Sequence, residues 1–228
     1  MANRGSSRDA GDPAELRPLH GGRHGIDPQL LAHNQRERLI AAVVVTVAEH
    51  GYNETTIAQI TDAASVSRRT FYEHFEGREE CFLAAYEALD DYIADLMSEA
   101  ASAEQHWPDQ VGAGFAALIH FLAERPNFAR LYLLESVVVG EKLVAARAKT
   151  SERFIVLLAP GRTYGELDHE PAEGIEEALI GGVLTLLARR ILAGEAEQLE
   201  RFIPAVIDFS LSPYIGLEAA REVAARHA

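Results

Sequence analysis

The sequence has a single cysteine, a single tryptophan and two methionines among its 228 residues. One cysteine, Cys81, excludes an internal disulfide framework and any cysteine-rich metal site, and we expect it to fill space in the core. No apolar run reaches the roughly 20 residues that span a bilayer, and the first residues lack the hydrophobic segment of a secretory signal. We therefore expect a cytoplasmic protein with no metal, no cofactor and no membrane partner.

Basic residues are also few relative to acidic ones: 21 lysines and arginines face 35 aspartates and glutamates, which gives a net charge of -14. Residues 1–80 carry nine arginines and twelve acidic residues, a net charge of -3, whereas residues 81–228 carry twelve basic and twenty-three acidic residues, a net charge of -11. Only the first third of the chain is therefore suited to face a polyanion such as DNA.

Helical spacing dominates the chain after a short polar start. Residues 1–26 contain almost no large apolar residues, which predicts a disordered arm. From Asp27 the apolar residues recur at helical spacing, and no alternation typical of strands occurs. We therefore predict an all-α protein, whose first helix begins at Pro28 or near Gln35 and ends at Gly51.

Two short helices and one long helix are expected next. Thr55 or Thr56 can cap the first of them, Ser67 can cap the second, and the long helix runs from about Arg78 to Ala100. A tight turn between the two short helices makes a helix-turn-helix arrangement. Further helices are predicted near 109–124, 126–139, 141–158, 172–193 and 196–212.

Residues 67–75, SRRTFYEHF, combine two adjacent arginines with three aromatic residues. Phe71 and Phe75 lie one helical turn apart, so we expect both to pack this helix into the core. Arg68 and Arg69 fall on the opposite side of the helix, where they have no core to enter.

The polar side chains of this helix are suited to DNA. A guanidinium matches the two acceptors that guanine presents in the major groove, so we expect Arg68 and Arg69 to face bases. Thr70, Tyr72 and His74 carry donors suited to phosphate oxygens, which set register rather than sequence. For the two arginines alone, a solvated pair on a surface helix is the alternative.

Residues 55–75, TTIAQITDAASVSRRTFYEHF, with REECF at 78–82, resemble the DNA-binding signature of TetR-type (tetracycline-repressor-like) transcription regulators. The resemblance implies a homodimer whose recognition helices, here residues 67–75, enter successive major grooves of a palindromic double-stranded operator. It also implies a C-terminal domain that binds a small apolar or amphipathic effector. The expected division is an arm at 1–26, a helix-turn-helix domain at 27–77, and an effector-binding and dimerisation domain at 78–228.

The resemblance also assigns roles to residues around the recognition helix. It implies that Thr56 caps the second helix and touches phosphate, that Ser67 belongs to the DNA-binding set, and that Arg78 contacts phosphate where the family usually has lysine. Ser65 stands where the family commonly has glycine. A left-handed conformation is less comfortable there without glycine.

The arm carries a separate hypothesis. Arg23 lies among glycines in the stretch HGGRHG, residues 20–25, so it could enter a narrow minor groove, as arms attached to helix-turn-helix domains do. A plain disordered tail is the alternative.

Apolar helices in the last two thirds of the chain can enclose a cavity, although the same residues can equally form a solid core. By the resemblance, such a cavity holds the effector. Glu135 lies in an apolar helix and needs a partner, for which an ion pair with Arg130 or Arg147 is favoured over a ligand. The candidate lining residues are Phe115, Ile119, Phe128, Tyr132, Glu135 and Phe154.

The last two predicted helices carry apolar stripes with small residues, which is typical of a four-helix dimer interface. Pro204 either kinks the final helix or marks the start of a new one. The candidate dimerisation residues are Ile175, Leu179, Gly182, Leu186, Leu199, Ile203 and Val206.

These observations favour a sequence-specific DNA-binding repressor that an effector releases from its operator. The alternatives are a TetR-type activator and a dimeric ligand-binding or structural protein without an operator. The chain lacks the zinc-protease spacing of histidines, a nucleophile elbow and a phosphate-cradling glycine loop. We therefore expect no enzymatic activity.

Overall fold

The computed structural model describes residues 35–137, 140–164 and 171–227. These residues form helices and contain no strand, which confirms the predicted all-α fold. The described helices are α1 (Gln35–His50), α2 (Ile57–Ala64), α3 (Arg68–His74), α4 (Arg78–Ser102), α5 (Trp107–Glu124), α6 (Pro126–Leu133), α7 (Glu141–Leu158), α8 (Ile175–Leu192), α9 (Ile203–Ile215) and α10 (Leu217–Arg226). Short 3-10 segments cover Glu135–Val137, Ala159–Thr163 and Ala196–Phe202.

The predicted arm, its Arg23 and a helix start at Pro28 lie outside the described residues. Within them, α1 ends where the sequence predicts, at Gly51, whose φ of 78° is in the left-handed region that favours glycine. Its N–H donates to the carbonyl of Val47 at 2.8 Å and so closes the last turn of α1.

The later helices differ from the prediction in three places. α6 is shorter than expected, because the chain leaves the α-helix after Leu133. Pro204 lies in the first turn of α9 and marks a start rather than a kink. The helix α10 was not predicted, since its buried face consists mainly of small residues, Ala220, Val223 and Ala224.

The first three helices form the expected helix-turn-helix, and α4 joins them to the rest of the chain. α1 packs against α2, α4 and α6. Leu39 of α1, Phe71 of α3 and Phe82 of α4 are fully buried in this region. The N-terminal part of α4 therefore belongs to the core of the helix-turn-helix.

In the rest of the chain, α5 contacts α4, α6, α9 and α10, whereas α7 packs against α4 and α8. Phe115 and Leu118 of α5 are fully buried, and one continuous hydrophobic core extends from α1 to α10. Among the described residues, no helix is both long enough and apolar enough to cross a membrane.

Candidate functional site

The helix α3 has one buried face and one exposed face. Phe71 is fully buried and Phe75 nearly so, with their ring centroids 5.8 Å apart. Tyr72, one position further round the helix, is 58% exposed. The predicted split between a packing face and an outward face is therefore confirmed.

The outward face presents Arg68 and Arg69 to solvent. The Arg69 side chain is 89% exposed, and its Nε donates to Oε1 of Glu73, one turn further on, at 3.0 Å. Glu73 thus puts a carboxylate on the face that would meet DNA. Sequence reasoning missed this residue, although the i, i+4 spacing of arginine and glutamate was the signal that could have found it.

Two hydroxyl residues cap the helices of this motif. Ser67 Oγ accepts the N–H of Thr70 at 3.0 Å at the start of α3. Thr56 Oγ1 accepts the N–H of Gln59, whose side chain accepts the Thr56 N–H in return, which forms a capping box at the start of α2. Thr56, rather than Thr55, is the cap.

The turn between α2 and α3 is strained at Ser65. Its φ of 52° and ψ of 46° are left-handed values, which cost a non-glycine residue about 1–2 kcal/mol. Arg38 of α1 donates from Nη2 to the Ser65 carbonyl at 3.1 Å and so holds the turn against α1.

Arg78 has structural partners, contrary to the picture of a free phosphate donor. Its Nη1 donates to the carbonyls of Tyr52 at 2.9 Å and Asn53 at 3.0 Å, and also to that of Thr55. Its guanidinium lies 4.3 Å from the centroid of the Tyr52 ring. Arg78 therefore fixes the turn between α1 and α2 to the start of α4, and its phosphate contact stays a prediction.

Glu135 reaches the same turn from the other side. Its Oε2 accepts the backbone N–H of Tyr52 at 2.9 Å, and its Oε1 lies 3.2 Å from Nη2 of Arg130. The favoured ion pair with Arg130 is thus present. The carboxylate does not line the pocket described next, and it links the segment after α6 to the helix-turn-helix. Its effector contact stays a prediction.

A pocket of about 260 Å³ lies between α4, α5 and α7. Its wall is mostly apolar, and two of the predicted effector residues, Tyr132 and Phe154, belong to it. The apolar lining includes Ile93, Ala94, Met97, Trp107, Phe154 and Leu157.

The other predicted effector residues lie elsewhere. Phe115 and Ile119 are fully buried core residues, and Phe115 stacks on Phe154 from outside the pocket. Phe128 packs against Phe121 with ring centroids 6.1 Å apart. These three residues do not line this pocket, and their effector role stays a prediction. An apolar helix side can pack against another helix or face a cavity, and its composition is the same in both cases.

A buried polar network closes one end of the pocket around Asp90 of α4. The Tyr132 hydroxyl and the Thr150 hydroxyl each donate to Asp90 Oδ1 at 2.8 Å. Arg153 Nη1 donates to Asp90 Oδ2 at 2.8 Å, and its Nη2 to Asp91 Oδ1 at 2.5 Å. Sequence reasoning did not single out Asp90 or Arg153, since their partners are about 60 residues away.

The network holds Tyr132 as a donor. Burial first, and the charge of Asp90 second, raise the pKa of Tyr132 well above its ordinary value of 10.0. The phenol therefore stays protonated and donates a hydrogen bond to Asp90. The pocket thus offers a ligand an apolar wall with one charged, hydrogen-bonded end.

The predicted dimerisation residues divide into three groups. Leu199 and Ile203 are buried within their own chain, and their part in a dimer contact stays a prediction. Leu179 and Val206 are also buried, but they form the floor of apolar grooves between α8 and α9. Phe209, 49% exposed and missed by sequence reasoning, lines both grooves.

Three of the predicted residues lie at the surface of these grooves. Ile175 and Leu186 are half-buried, and Gly182 is exposed, with its Cα so close to the Phe209 ring that an added Cβ would lie 3.0 Å from it. An apolar surface therefore follows α8 and α9. It includes some of the predicted residues and also Phe209, which was not predicted.

Comparison with known families decides what the helix-turn-helix is. Residues 39–85 match the model of the bacterial regulatory proteins of the tetR family, and the segment spans α1 to the start of α4. This segment is therefore similar to the DNA-binding segment of TetR-family regulators. The matched residues include the whole outward face of α3.

One relative extends the likeness beyond this segment. The HTH-type transcriptional activator FasR of Mycolicibacterium smegmatis is 27% identical over 137 residues. The matched region covers 60% of the chain and 61% of FasR, less than two thirds of that protein.

Solved structures share the fold at lower identity. The fatty acid degradation regulator FadR from Bacillus halodurans is 18% identical with a TM-score of 0.70, over 80% of this chain and 96% of that one. FadR from Bacillus subtilis, solved in complex with stearoyl-CoA, is 17% identical with a TM-score of 0.69, over 77% of this chain and 97% of that one. These regulators therefore share the fold of this chain over about four fifths of its length.

Proposed function

We propose that the protein is a sequence-specific DNA-binding transcription regulator whose affinity for its operator is set by a small effector. The observation that carries the proposal is the outward face of α3, where Arg68, Arg69 and Tyr72 are exposed while Phe71 and Phe75 hold the helix in the core. The proposal assigns no catalytic activity to the chain and places it in the cytoplasm with its DNA.

The effector we propose is a small amphipathic molecule with an apolar chain. The pocket between α4, α5 and α7 is lined mostly by apolar side chains and has the Asp90 and Arg153 pair at one end. Its volume of about 260 Å³ lies just below the range of about 300–1,000 Å³ that is typical of small-molecule pockets. The stearoyl-CoA complex of the Bacillus subtilis FadR supports an acyl chain as the apolar part.

The proposed link between pocket and DNA is α4. Asp90, at the pocket, and Arg78, at the turn between α1 and α2, both lie on this helix. A ligand that shifts α4 would displace the Arg78 hydrogen bonds to that turn and change the spacing of the two recognition helices. An effector lowers DNA affinity only by its preference for one conformation, so DNA must weaken effector binding by the same factor.

The operator would be a palindrome read by a homodimer. Successive major grooves on one face of DNA lie about 34–36 Å apart, so two recognition helices need a two-fold arrangement. The grooves between α8 and α9, with Phe209 at the surface, are the proposed contact between protomers. The change Phe209→Asp is expected to give monomers in sedimentation, and dimers that persist in this variant would move the contact elsewhere.

Selection of bound DNA from a random pool is the experiment that tests the proposal. We expect a palindromic consensus whose binding weakens steeply with salt. The addition of stearoyl-CoA to the selected complex then tests the effector. Recovery of no consensus would favour a ligand-binding protein without an operator.

Activation is the second candidate direction, and the relative FasR, an activator, favours it. The repressor that the sequence favours and an activator differ in the effect of bound protein on transcription. A reporter driven from the selected operator, with and without the protein, distinguishes the two. Repression is the outcome that we propose.

A further inference from the structure

A second pocket, of about 300 Å³, lies between α7 and α8. It is separate from the effector pocket described above, although Tyr132 lines both. Its apolar wall includes Leu184 and Ala188 of α8. The proposed regulator function uses none of this pocket.

Two arginines line the second pocket, Arg147 from α7 and Arg189 from α8. Among the described residues, neither guanidinium has a hydrogen bond or an ion pair. The other side-chain polar groups at its edge are already engaged: Ser151 donates to the Arg147 carbonyl at 3.2 Å and Thr185 to the Gly181 carbonyl at 2.7 Å. The two guanidinium groups are therefore the donors available to a ligand there.

The charge of this pocket is opposite to that of the surrounding chain. Residues 81–228 carry a net charge of -11, which disfavours the approach of anions in general. Most arginines of the described region have carboxylate partners, such as Arg153 with Asp90 and Arg162 with Glu176. Two arginines without such partners, in one concave site, form a local exception to the acidic field.

We propose that this second pocket binds a phosphorylated small molecule, with Arg147 and Arg189 as the two phosphate ligands. A guanidinium presents parallel donors that match two phosphate oxygens, and two guanidinium groups balance a doubly charged phosphate group. The apolar residues of α8 pack against the uncharged part of the ligand. This proposal does not depend on the regulator function, because it concerns a different pocket and no DNA.

Inorganic pyrophosphate is the probe that tests the site. Calorimetric titration at constant ionic strength is expected to show saturable binding to the full chain. Arg147→Gln and Arg189→Gln should each weaken it by about tenfold or more, which corresponds to one charged hydrogen bond. Arg147→Lys should retain part of the affinity, since it keeps the charge but loses the fork.

Lys149→Gln is the matched control, because Lys149 is an exposed cation of the same helix that does not line the pocket. It should leave pyrophosphate affinity unchanged. Circular dichroism of each variant separates a lost site from a lost fold. The proposal is overturned if pyrophosphate does not saturate the wild type, or if the control weakens binding as much as the two pocket variants.

Competition between pyrophosphate and stearoyl-CoA distinguishes the head group of a larger effector from a separate small anion. Displacement of pyrophosphate by stearoyl-CoA, with the same dependence on Arg147, would support a head group of a larger effector. Simultaneous binding of both would support a separate small anion. In the latter case, failure of stearoyl-CoA to alter DNA binding would count against the proposed effector and not against this site.

Discussion

The carboxylate of Glu135 accepts the backbone N–H of Tyr52 at 2.9 Å, across 83 positions of the sequence. On the other side of the same turn, Arg78 donates to the Tyr52 carbonyl at 2.9 Å. One residue between α1 and α2 is thus held both by the segment after α6 and by the start of α4. The helix-turn-helix and the helices around the proposed effector pocket are therefore fixed to each other at Tyr52.

Removal of the Glu135 carboxylate should weaken this joint. We expect Glu135→Ala to lower the free energy of unfolding by about 2 kcal/mol, because the Tyr52 N–H loses a charged acceptor and Arg130 loses its partner. Glu135→Gln keeps an acceptor and should cost less. Urea unfolding measures both, with Glu141→Ala, an exposed glutamate at the start of α7, as the control. An equal loss in Glu135→Ala and in the control would contradict the role.

The two kinds of residue on α3 should behave differently toward DNA. Arg68→Ala is expected to reduce discrimination at one base pair by about 1–3 kcal/mol. Tyr72→Phe should instead weaken all sites similarly, since a phosphate contact carries no sequence information. Competition binding with single-base variants of the selected operator measures both effects. The division of roles would be wrong if the two variants changed the same ratio of affinities.

A larger side chain at Ala94 should block the effector pocket. Ala94 lines the pocket from α4, so Ala94→Leu is expected to leave operator affinity unchanged and to abolish the response to stearoyl-CoA. Fluorescence anisotropy of labelled operator, with and without the ligand, reads both properties. Ala103→Leu, at an exposed residue that ends the same helix, should respond as the wild type does. A normal response in Ala94→Leu would place the ligand elsewhere.

Glycine at position 65 should stabilise the turn before the recognition helix. Relief of the left-handed strain gains about 1–2 kcal/mol, and the added freedom of the unfolded chain costs about 0.5–1 kcal/mol. We therefore expect Ser65→Gly to raise the free energy of unfolding modestly, measured by urea titration. Ser65→Ala keeps the Cβ and with it the strain, so it should bring no gain. Equal stability of the two variants would show that the turn carries no such cost.

Stability should fall at acid pH through Glu176. Burial alone would raise the pKa of this carboxyl, but hydrogen bonds from Arg162 and Tyr214 outweigh it and hold the pKa below the ordinary value of 4.5. The contribution of the ionised Glu176 carboxylate to the free energy of unfolding is therefore complete above pH 4.5. It is lost as the pH falls through the lower pKa of the folded state.

Glu176→Gln is the variant that tests this dependence. It should be less stable than the wild type by about 1–3 kcal/mol at pH 7, and the difference should shrink below pH 4.5. Glu177→Gln changes the charge at the exposed neighbouring position and should show no such trend. A difference that is independent of pH would assign the loss to packing alone.

The local features of this fold follow from residues a few positions apart. The end of α1 at Gly51, the cap at Ser67 and the inward face of Phe71 and Phe75 all depend on spacing within one or two helical turns. The family resemblance of residues 55–75 likewise involves one continuous segment. For these reasons the outward face of α3 was predictable, including its exposed arginines.

The distant contacts were decided by packing. Periodicity shows that a side of a helix is buried, but not whether a neighbouring helix, a cavity or a second protomer covers it. The structure buries Phe115, Ile119 and Leu199 within the chain's own core. Asp90 and Arg153 are 63 positions apart in sequence, and Glu135 and Tyr52 are 83 positions apart. Each pair meets only because the tertiary structure brings distant segments together.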